Sequence, residues 1–175
     1  MTRLSPESLV VRWLAPEHVE PIHRILRATG AFNDDEVRVA VELLNESLRD
    51  SEGDYQVQVI LAGAEVIGYT CFGKAPFTEA AFDLYWIAVD PLWHGTGAAR
   101  VLMTATERNI RRRGGLLMLV ETASKKSYAR TRRFYESLGY RETARIRDYY
   151  RTGDDKIVYE KRWDPEPTTV QQEGA

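Results

Sequence analysis

The chain has 175 residues, the size of one compact domain, and its 43% hydrophobic and 29% charged side chains exclude a fibrous or wholly disordered polymer. Its 24 lysines and arginines against 26 aspartates and glutamates leave a formal net charge of -2. No global field therefore favours a nucleic-acid partner, and any function driven by charge must be local.

Met1-Thr2-Arg3-Leu4-Ser5-Pro6 lacks the apolar stretch of a secretion signal, and no run approaches the roughly 18 apolar residues of a membrane span. A cytoplasmic protein without a membrane partner is expected. Leu9 to Leu14 is rich in β-formers and stops at Ala15-Pro16, as a first strand does. Pro16 fits the first turn of a helix, along which Val19, Ile22 and Leu26 recur at helical spacing until Thr29-Gly30. Asn33 or Asp34 caps a second helix, with Val37, Val41, Leu44 and Leu48 as its apolar stripe.

Beyond the polar turn Asp50 to Asp54, Tyr55, Val57, Val59 and Leu61 alternate with Gln56, Gln58 and Ile60, which predicts a strand. Gly63-Ala64-Glu65 turns it into a hairpin with Val66 to Phe72. Cys71 in that partner strand has no second cysteine, and no Cys/His spacing suits zinc, so a core thiol, a reducing compartment and no metal are expected. Phe82 to Val89 is apolar on both alternations apart from Asp83, the pattern of a central strand buried on both faces.

Gly97 to Arg113 reads as a helix with Ala98, Val101, Leu102 and Ala105 on one stripe, basic residues in its last turn and Gly114-Gly115 as its stop. Leu116 to Val120 is the next buried strand, and a further helix runs from about Tyr128 to Leu138, where Gly139 ends it. Tyr140 to Ile146 and Lys156 to Lys161 then form two strands around the turn Arg151 to Asp155. The order β-α-α-β-β-β-α-β-α-β-β describes an α/β domain over residues 1–163, a mixed sheet with helices on its faces. The polar, proline-bearing and aperiodic 164–175 is expected to be a flexible tail.

The connection after the central strand carries the chemical signal. Asp90-Pro91-Leu92-Trp93-His94 leads into Gly95 and Gly97, which open a helix. Glycines there let the backbone approach a pyrophosphate, and the helix end adds partial positive charge. A dinucleotide fingerprint would need glycine where Arg100 stands, and a kinase-type loop would need a Gly-Lys-Ser/Thr ending; neither is present. The bland alternative is a tight strand-to-helix turn and nothing more.

Val89-Asp90-Pro91 before His94-Gly95-Thr96-Gly97-Ala98-Ala99 resembles the central motif of the GNAT superfamily of N-acetyltransferases: a strand, Val-x-Pro, Arg/Gln-x-x-Gly-x-Gly/Ala and a helix. Phe134-Tyr135-Glu136-Ser137-Leu138-Gly139-Tyr140 is similar to that family's second motif, and the element order matches over about residues 9 to 162. The resemblance implies a mostly antiparallel, twisted sheet of about seven strands with helices on both faces. It also implies acetyl-coenzyme A as cofactor. Backbone groups of Ile87, Ala88 and Val89 would meet the pantetheine arm, and His94, Gly95, Thr96, Gly97, Ala98, Ala99 and Arg100 the phosphates. His94 departs from the usual Arg or Gln, which removes a fixed positive charge unless the imidazole is protonated.

By the same resemblance Tyr135 is the acid that reprotonates the departing thiolate, a task that suits a phenol of pKa near 10. The alternative is that it only covers the sheet beside Phe134. Tyr128 stands where relatives often carry an asparagine that touches the cofactor, and Arg133, with Arg130 and Arg132, is near enough in sequence to serve a phosphate. For the base, Glu121 lies close to where some members place a catalytic glutamate and Asp83 is the second candidate; many relatives use ordered water instead.

The acceptor pocket of this fold is built from the first two helices and the last hairpin. Tyr149 and Tyr150 beside Asp148, Asp154 and Asp155 are read either as a wall attracting a cationic amine or as a soluble hairpin tip. The expected activity is direct transfer of acetyl to the primary amine of a small molecule, polyamine-like or amino-acid-like. A protein N-terminus or lysine is the alternative acceptor, and an acyl-coenzyme A-binding module without turnover is the alternative of another class. A homodimer is left open.

Overall fold

The computed structural model describes residues 9–165, so the opening octapeptide and the expected tail beyond 165 lie outside the described residues. The elements follow in the order β1 (Leu9–Trp13), α1 (Val19–Thr29), α2 (Asp34–Arg49), β2 (Gln56–Ala62), β3 (Glu65–Lys74), β4 (Ala81–Val89), α3 (Ala98–Arg112), β5 (Leu117–Ala123), α4 (Ala129–Ser137), β6 (Arg141–Arg151) and β7 (Asp154–Arg162). The strands form one sheet in the order β1-β2-β3-β4-β5-β7-β6, with β4 at its centre. Every neighbouring pair is antiparallel except β4 with β5.

Local signals set the helix boundaries. Pro16 opens a 3₁₀ turn that runs into α1, and Gly30 ends α1 at φ 60°, a left-handed conformation that glycine adopts without steric cost. Asn33 then caps α2 reciprocally: its Oδ1 accepts from the Glu36 N–H at 2.9 Å, while Glu36 Oε2 accepts from the Asn33 N–H at 2.7 Å. The four residues between the helices are therefore pinned at both ends.

Helices cover both faces. On one, Ile22, Ile25 and Leu26 of α1 and Val37, Ala40 and Leu44 of α2 pack on Val57, Val59 and Tyr69. On the other, Ala98 and Leu102 of α3 pack on Ile60, Ile67 and Val89, while Tyr135 of α4 joins Met118, Val120 and Ile157. A side chain such as Leu102, with none of its surface exposed, typically contributes about 2–5 kcal/mol against truncation to alanine.

Several local expectations need correction. Strand β2 was expected to alternate, yet all of Gln56–Ala62 is buried. Its glutamines tolerate this because Gln56 Nε2 donates to the Ser51 and Gly53 carbonyls and Gln58 Oε1 accepts from Thr106. The buried stripe of α3 passes through Leu102, Met103, Thr106 and Ile110 instead of Val101 and Ala105. The last hairpin is longer than its apolar pattern suggested, since β6 reaches Arg151 and β7 starts at Asp154, leaving Thr152-Gly153 as the turn. As an edge strand exposed along its whole length, β6 offers no hydrophobic alternation to read.

Strands β4 and β5 pair only from Ala81↔Leu117 to Leu84↔Val120. Beyond that point β4 continues along β3 to Val89 and β5 continues along β7 to Ala123, so the two diverge. Tyr85 is an extra residue in β4, because Cys71 pairs with Trp86 and Phe72 with Leu84. Such a bulge bends and twists its strand, and here it sits where the two strands part.

Candidate active site

The gap between β4 and β5 opens beside the start of α3. Residues Pro91–Trp93 form a 3₁₀ turn whose Asp90 side chain accepts from the Leu92 N–H at 2.8 Å. The chain then passes through Gly95 at φ 80° and Gly97 at φ 92°, conformations strained for any residue with a Cβ. A Cβ on either glycine would meet no atom within 4 Å, so backbone geometry and not crowding requires them. The Ala98 N–H reaches Thr96 Oγ1 at 3.4 Å and the Val101 N–H bonds to Gly97 O, which leaves the N–H groups of Ala99 and Arg100 in the first turn without an intrahelical partner and available to an anion.

A cleft of about 340 Å³ lies over this loop. Ile87 and Val89 of β4 form its floor, Trp93, His94, Gly95 and Gly97 with Ala98, Ala99 and Arg100 form one wall, and Arg130, Thr131 and Phe134 of α4 form the other. Of the residues that sequence singled out here, Ala88 is instead buried under α1 and α2, and Thr96 turns inward, its Oγ1 donating to Trp93 O at 2.7 Å. Its backbone still belongs to the loop.

His94 has a specific task. Its Nε2 lies 3.0 Å from Val89 O, and since a carbonyl only accepts, the proton is on Nε2. The imidazole thus ties the loop to the end of β4, and side-chain positive charge at the cleft comes from Arg100 and Arg130. Arg100 Nη2 also donates to Ser137 Oγ at 3.0 Å, bridging α3 to α4. Arg133 is exposed and outside the lining; Arg132 Nη1 donates to the carbonyls of Ala123 (2.8 Å) and Lys125 (3.0 Å), holding the segment after β5. Of the three arginines considered on this helix, Arg130 is the one that lines the cleft.

Tyr135 is buried in α4 against Tyr140 and Tyr159, with ring centroids 5.8 and 6.1 Å away. Burial first, and then Tyr128, push its phenol well above the ordinary value, so it carries its proton throughout the neutral range. Beside the gap on the same face, the buried Thr122 hydroxyl has no hydrogen-bond partner.

Glu121 and Asp83 lie on the other face of the sheet. Glu121 is the first residue of β5 past its last pair with β4, and alternation turns it away from Val120 and α4. Lys156 Nζ stands 2.6 Å from Glu121 Oε1 and 4.9 Å from the centre of the Tyr149 ring. Burial lowers the Lys156 pKa, but the Glu121 hydrogen bond and charge outweigh it and hold the ammonium above its ordinary value. Burial, then the Glu121 charge, raises the Asp83 carboxyl, with Lys156 opposing. The structure therefore brings both carboxylates to one place, and adds Lys156, which the sequence reading missed because only the β5–β7 register makes it their neighbour.

Tyr128 does not line the cleft. It stands against the α1–α2 connection, its Oη 3.4 Å from Ala31 O and Lys125 Nζ 4.7 Å from its ring centre. The acidic wall proposed for the hairpin is also used otherwise. Asp148, at φ 52°, accepts from the Gly153 N–H at 2.6 Å; Asp154 is buried and accepts from the Lys125 N–H at 3.1 Å; Asp155 pairs with Arg145 at 3.0 Å. These aspartates shape the hairpin. Cys71 is a core thiol pushed up to about 12, chiefly by burial, and takes no part.

Among the described residues no group of side chains could hold a metal ion, and no helix is long and apolar enough to cross a membrane. A family model described as an acetyltransferase (GNAT) domain matches residues 53–142. A crystal structure assigned to the GNAT family of acetyltransferases, from Desulfovibrio desulfuricans, is 36% identical; the match covers 88% of this chain and 98% of that one at a TM-score of 0.85. The ribosomal-protein-S18-alanine N-acetyltransferase of Escherichia coli is 19% identical, with 93% and 98% covered and a TM-score of 0.74. The PaiA N-acetyltransferase of Thermoplasma acidophilum, solved with coenzyme A, is 18% identical, with 89% and 99% covered and a TM-score of 0.71. At those identities the last two share its fold. A search of curated proteins finds no match.

Proposed function

The chain belongs to the GNAT family of acetyltransferases, and from that premise we propose that it transfers acetyl from acetyl-coenzyme A directly to a primary amine of a small molecule. The observation that carries this reading is the parting of β4 and β5 after Leu84 and Val120, with a phosphate-type cradle against one face and a carboxylate pair on the other.

The residues present fit the cofactor. The space over Gly95 and Gly97 is open, the Ala99 and Arg100 N–H groups at the start of α3 have no intrahelical partner, and the orphaned Thr122 hydroxyl sits beside the gap. The loop from His94 to Arg100 would hold the pyrophosphate, Arg100 and Arg130 would add charge, and the free edge of β4 from Ile87 to Val89 would bind the arm. Bound coenzyme A supplies an activated acetyl thioester.

The two faces divide the proton work. As the amine nitrogen bonds to the carbonyl carbon and the C–S bond breaks, one proton must leave the amine and one must reach the thiolate, and the candidate base and acid are on opposite sides of the sheet. Glu121, with Asp83 beside it, takes the proton from the amine on the α1–α2 face. Tyr135, still protonated at neutral pH, gives one to the thiolate on the α4 face. We place this chemistry in the cytoplasm, where the single buried thiol would stay reduced.

The test is release of free thiol from acetyl-coenzyme A over a panel of amines and short peptides. Amine-dependent thiol release is expected. Faster transfer to peptides would make the acceptor a polypeptide, and cofactor binding without any thiol release would leave a binding module.

A further inference from the structure

Two buried side-chain hydroxyls have no hydrogen-bond partner among the described residues, those of Tyr69 and Thr122. Their settings differ. Tyr69 stands in the middle of the sheet, with cross-strand partners Val59 on β2 and Ala88 on β4, and none of its surface is exposed in the core under α1 and α2. Thr122, only 5% exposed, has a strand on one side alone: it pairs with Ile157 of β7, whereas β4 has left β5 two residues earlier, at Leu84↔Val120. A buried hydroxyl without a partner costs free energy, and a ligand that meets it recovers that cost. Only Thr122 borders a place that a ligand can reach.

The hydroxyl is held in place. Alternation along β5 puts Thr122 on the face of Val120, where Tyr135 and Ile157 pack, and away from Glu121. Arg132 holds the next carbonyl, Ala123 O, at 2.8 Å, and Ser124 Oγ accepts from the Asp155 N–H at 2.7 Å, so β5 is fixed just beyond this residue. The branched side chain allows the hydroxyl few rotamers. On the same face of β4 stands Ile87, which packs against the Val120 and Tyr135 group and also lines the cleft. The glycine loop lies at the Val89 end of the free β4 edge and Thr122 near its closed end. A cofactor with its phosphates at the loop and its arm along that edge therefore brings its far end, the thioester, toward Thr122.

We propose that the Thr122 hydroxyl donates a hydrogen bond to the acyl carbonyl oxygen of bound acetyl-coenzyme A, so that Thr122 distinguishes the acylated cofactor from free coenzyme A. The proposal rests on the acetyl-transfer reading and adds a specificity-determining residue to it. A thioester offers acceptors only, and its carbonyl oxygen is a far better one than its sulfur, so the hydroxyl donates, and to oxygen. No proton moves along this bond. As the amine nitrogen bonds to the carbonyl carbon, negative charge gathers on that oxygen, and a donor already in position stabilises it without reorganisation. Free coenzyme A carries no carbonyl at that point, so the product is held less tightly than the donor.

The test measures binding of acetyl-coenzyme A and of coenzyme A by calorimetric titration, with no acceptor present, for wild type, Thr122→Val, Thr122→Ser and Tyr69→Phe. Thr122→Val, close in shape but without the hydroxyl, should bind acetyl-coenzyme A about 5- to 10-fold more weakly, the scale of one hydrogen bond, and coenzyme A as wild type does. Thr122→Ser should recover most of that loss, and Tyr69→Phe should show none. Without ligand, Thr122→Val should melt at or above the wild-type temperature, because its hydroxyl has no protein partner to lose. Melting below wild type would show that the hydroxyl serves the fold, and equal losses for the two ligands would move the contact to the arm; either result overturns the proposal. Unchanged affinity for acetyl-coenzyme A, no recovery in Thr122→Ser, or a matching loss in Tyr69→Phe overturns it as well. If wild type transfers acetyl while Thr122→Val binds both ligands normally, this proposal fails alone. If Thr122→Val loses only acetyl-coenzyme A but no amine prompts thiol release from wild type, the acetyl-transfer reading fails alone.

Discussion

The two faces of the gap are built in different ways. The cofactor face is made largely by one continuous stretch, Val89 to Arg100, whose backbone turns are dictated by its own glycines. The face proposed for the acceptor is assembled from five separated places: the α1–α2 connection, β4, β5, the segment before α4 and the last hairpin. A site made of backbone in one loop tolerates change in its side chains, and His94 uses its Nε2 to tie the loop to Val89 O. A site made of side chains from five elements is specified by each of them.

The difference is sharpest for Gly97→Asp, where the largest effect is expected. Losing charge-assisted N–H contacts and adding a like charge, each on the order of 2 kcal/mol, should weaken coenzyme A binding by about a thousandfold. Backbone strain at φ 92° will cost fold stability about 1–2 kcal/mol, so Gly97→Ala, with the same strain and no charge, is the control. Calorimetric titration of a folded Gly97→Asp variant that still binds normally would mean that the loop is only a connection.

This asymmetry governs how much was legible in the sequence. Strand β4, the glycine turn and α3 follow from signals within about twenty residues, and the structure has them where those signals place them. The buried glutamines of β2 were not legible, because Gln58 becomes acceptable only with Thr106 opposite it, 48 residues away. Arg130 against Arg133 could not be separated, since three arginines on one helix differ only in the direction they point. Lys156 and the Tyr128–Ala31 contact depend on pairings 35 and 97 residues apart, distances at which no local pattern speaks. The hairpin aspartates were open to both readings, ligand wall or hairpin tip, because acidic turns and acidic sites look alike in composition.

Next in size is Tyr135→Phe, which removes the proton and keeps most of the packing with Tyr140 and Tyr159. A fall in kcat of about 10²-fold with unchanged coenzyme A affinity is expected. Unaltered turnover would reduce Tyr135 to a packing residue and leave the acid unassigned.

On the opposite face, Glu121→Gln should flatten the acidic limb of the pH–rate profile more than Asp83→Asn does. Glu121 is the first residue beyond the last β4–β5 pair, so its carboxylate is closer to the gap. The reverse ranking would move the base to Asp83, whose carboxyl is raised by burial and then by the Glu121 charge.

The smallest effects concern stability, and they set the two kinds of acidic residue against each other. Burial, then Glu121, raises Asp83 above the ordinary 3.8, so its favourable contribution is complete below 3.8 and is lost as pH rises through the raised value. Asp155 is the opposite case: hydrogen bonds from the Asp148 N–H and then Arg145 lower it from 3.8. Its contribution is present above 3.8 and is lost as pH falls through the lowered value. At neutral pH, therefore, Asp83→Asn should raise the melting temperature and Asp155→Asn should lower it, and the two differences should shrink together on acidification. A residue kept for chemistry is held in a form the fold disfavours, whereas one kept for a turn is held in the form the fold prefers. Should Asp83→Asn melt below wild type at neutral pH, Asp83 would belong with Asp155 as a structural carboxylate, and Glu121 would be left as the sole candidate on that face.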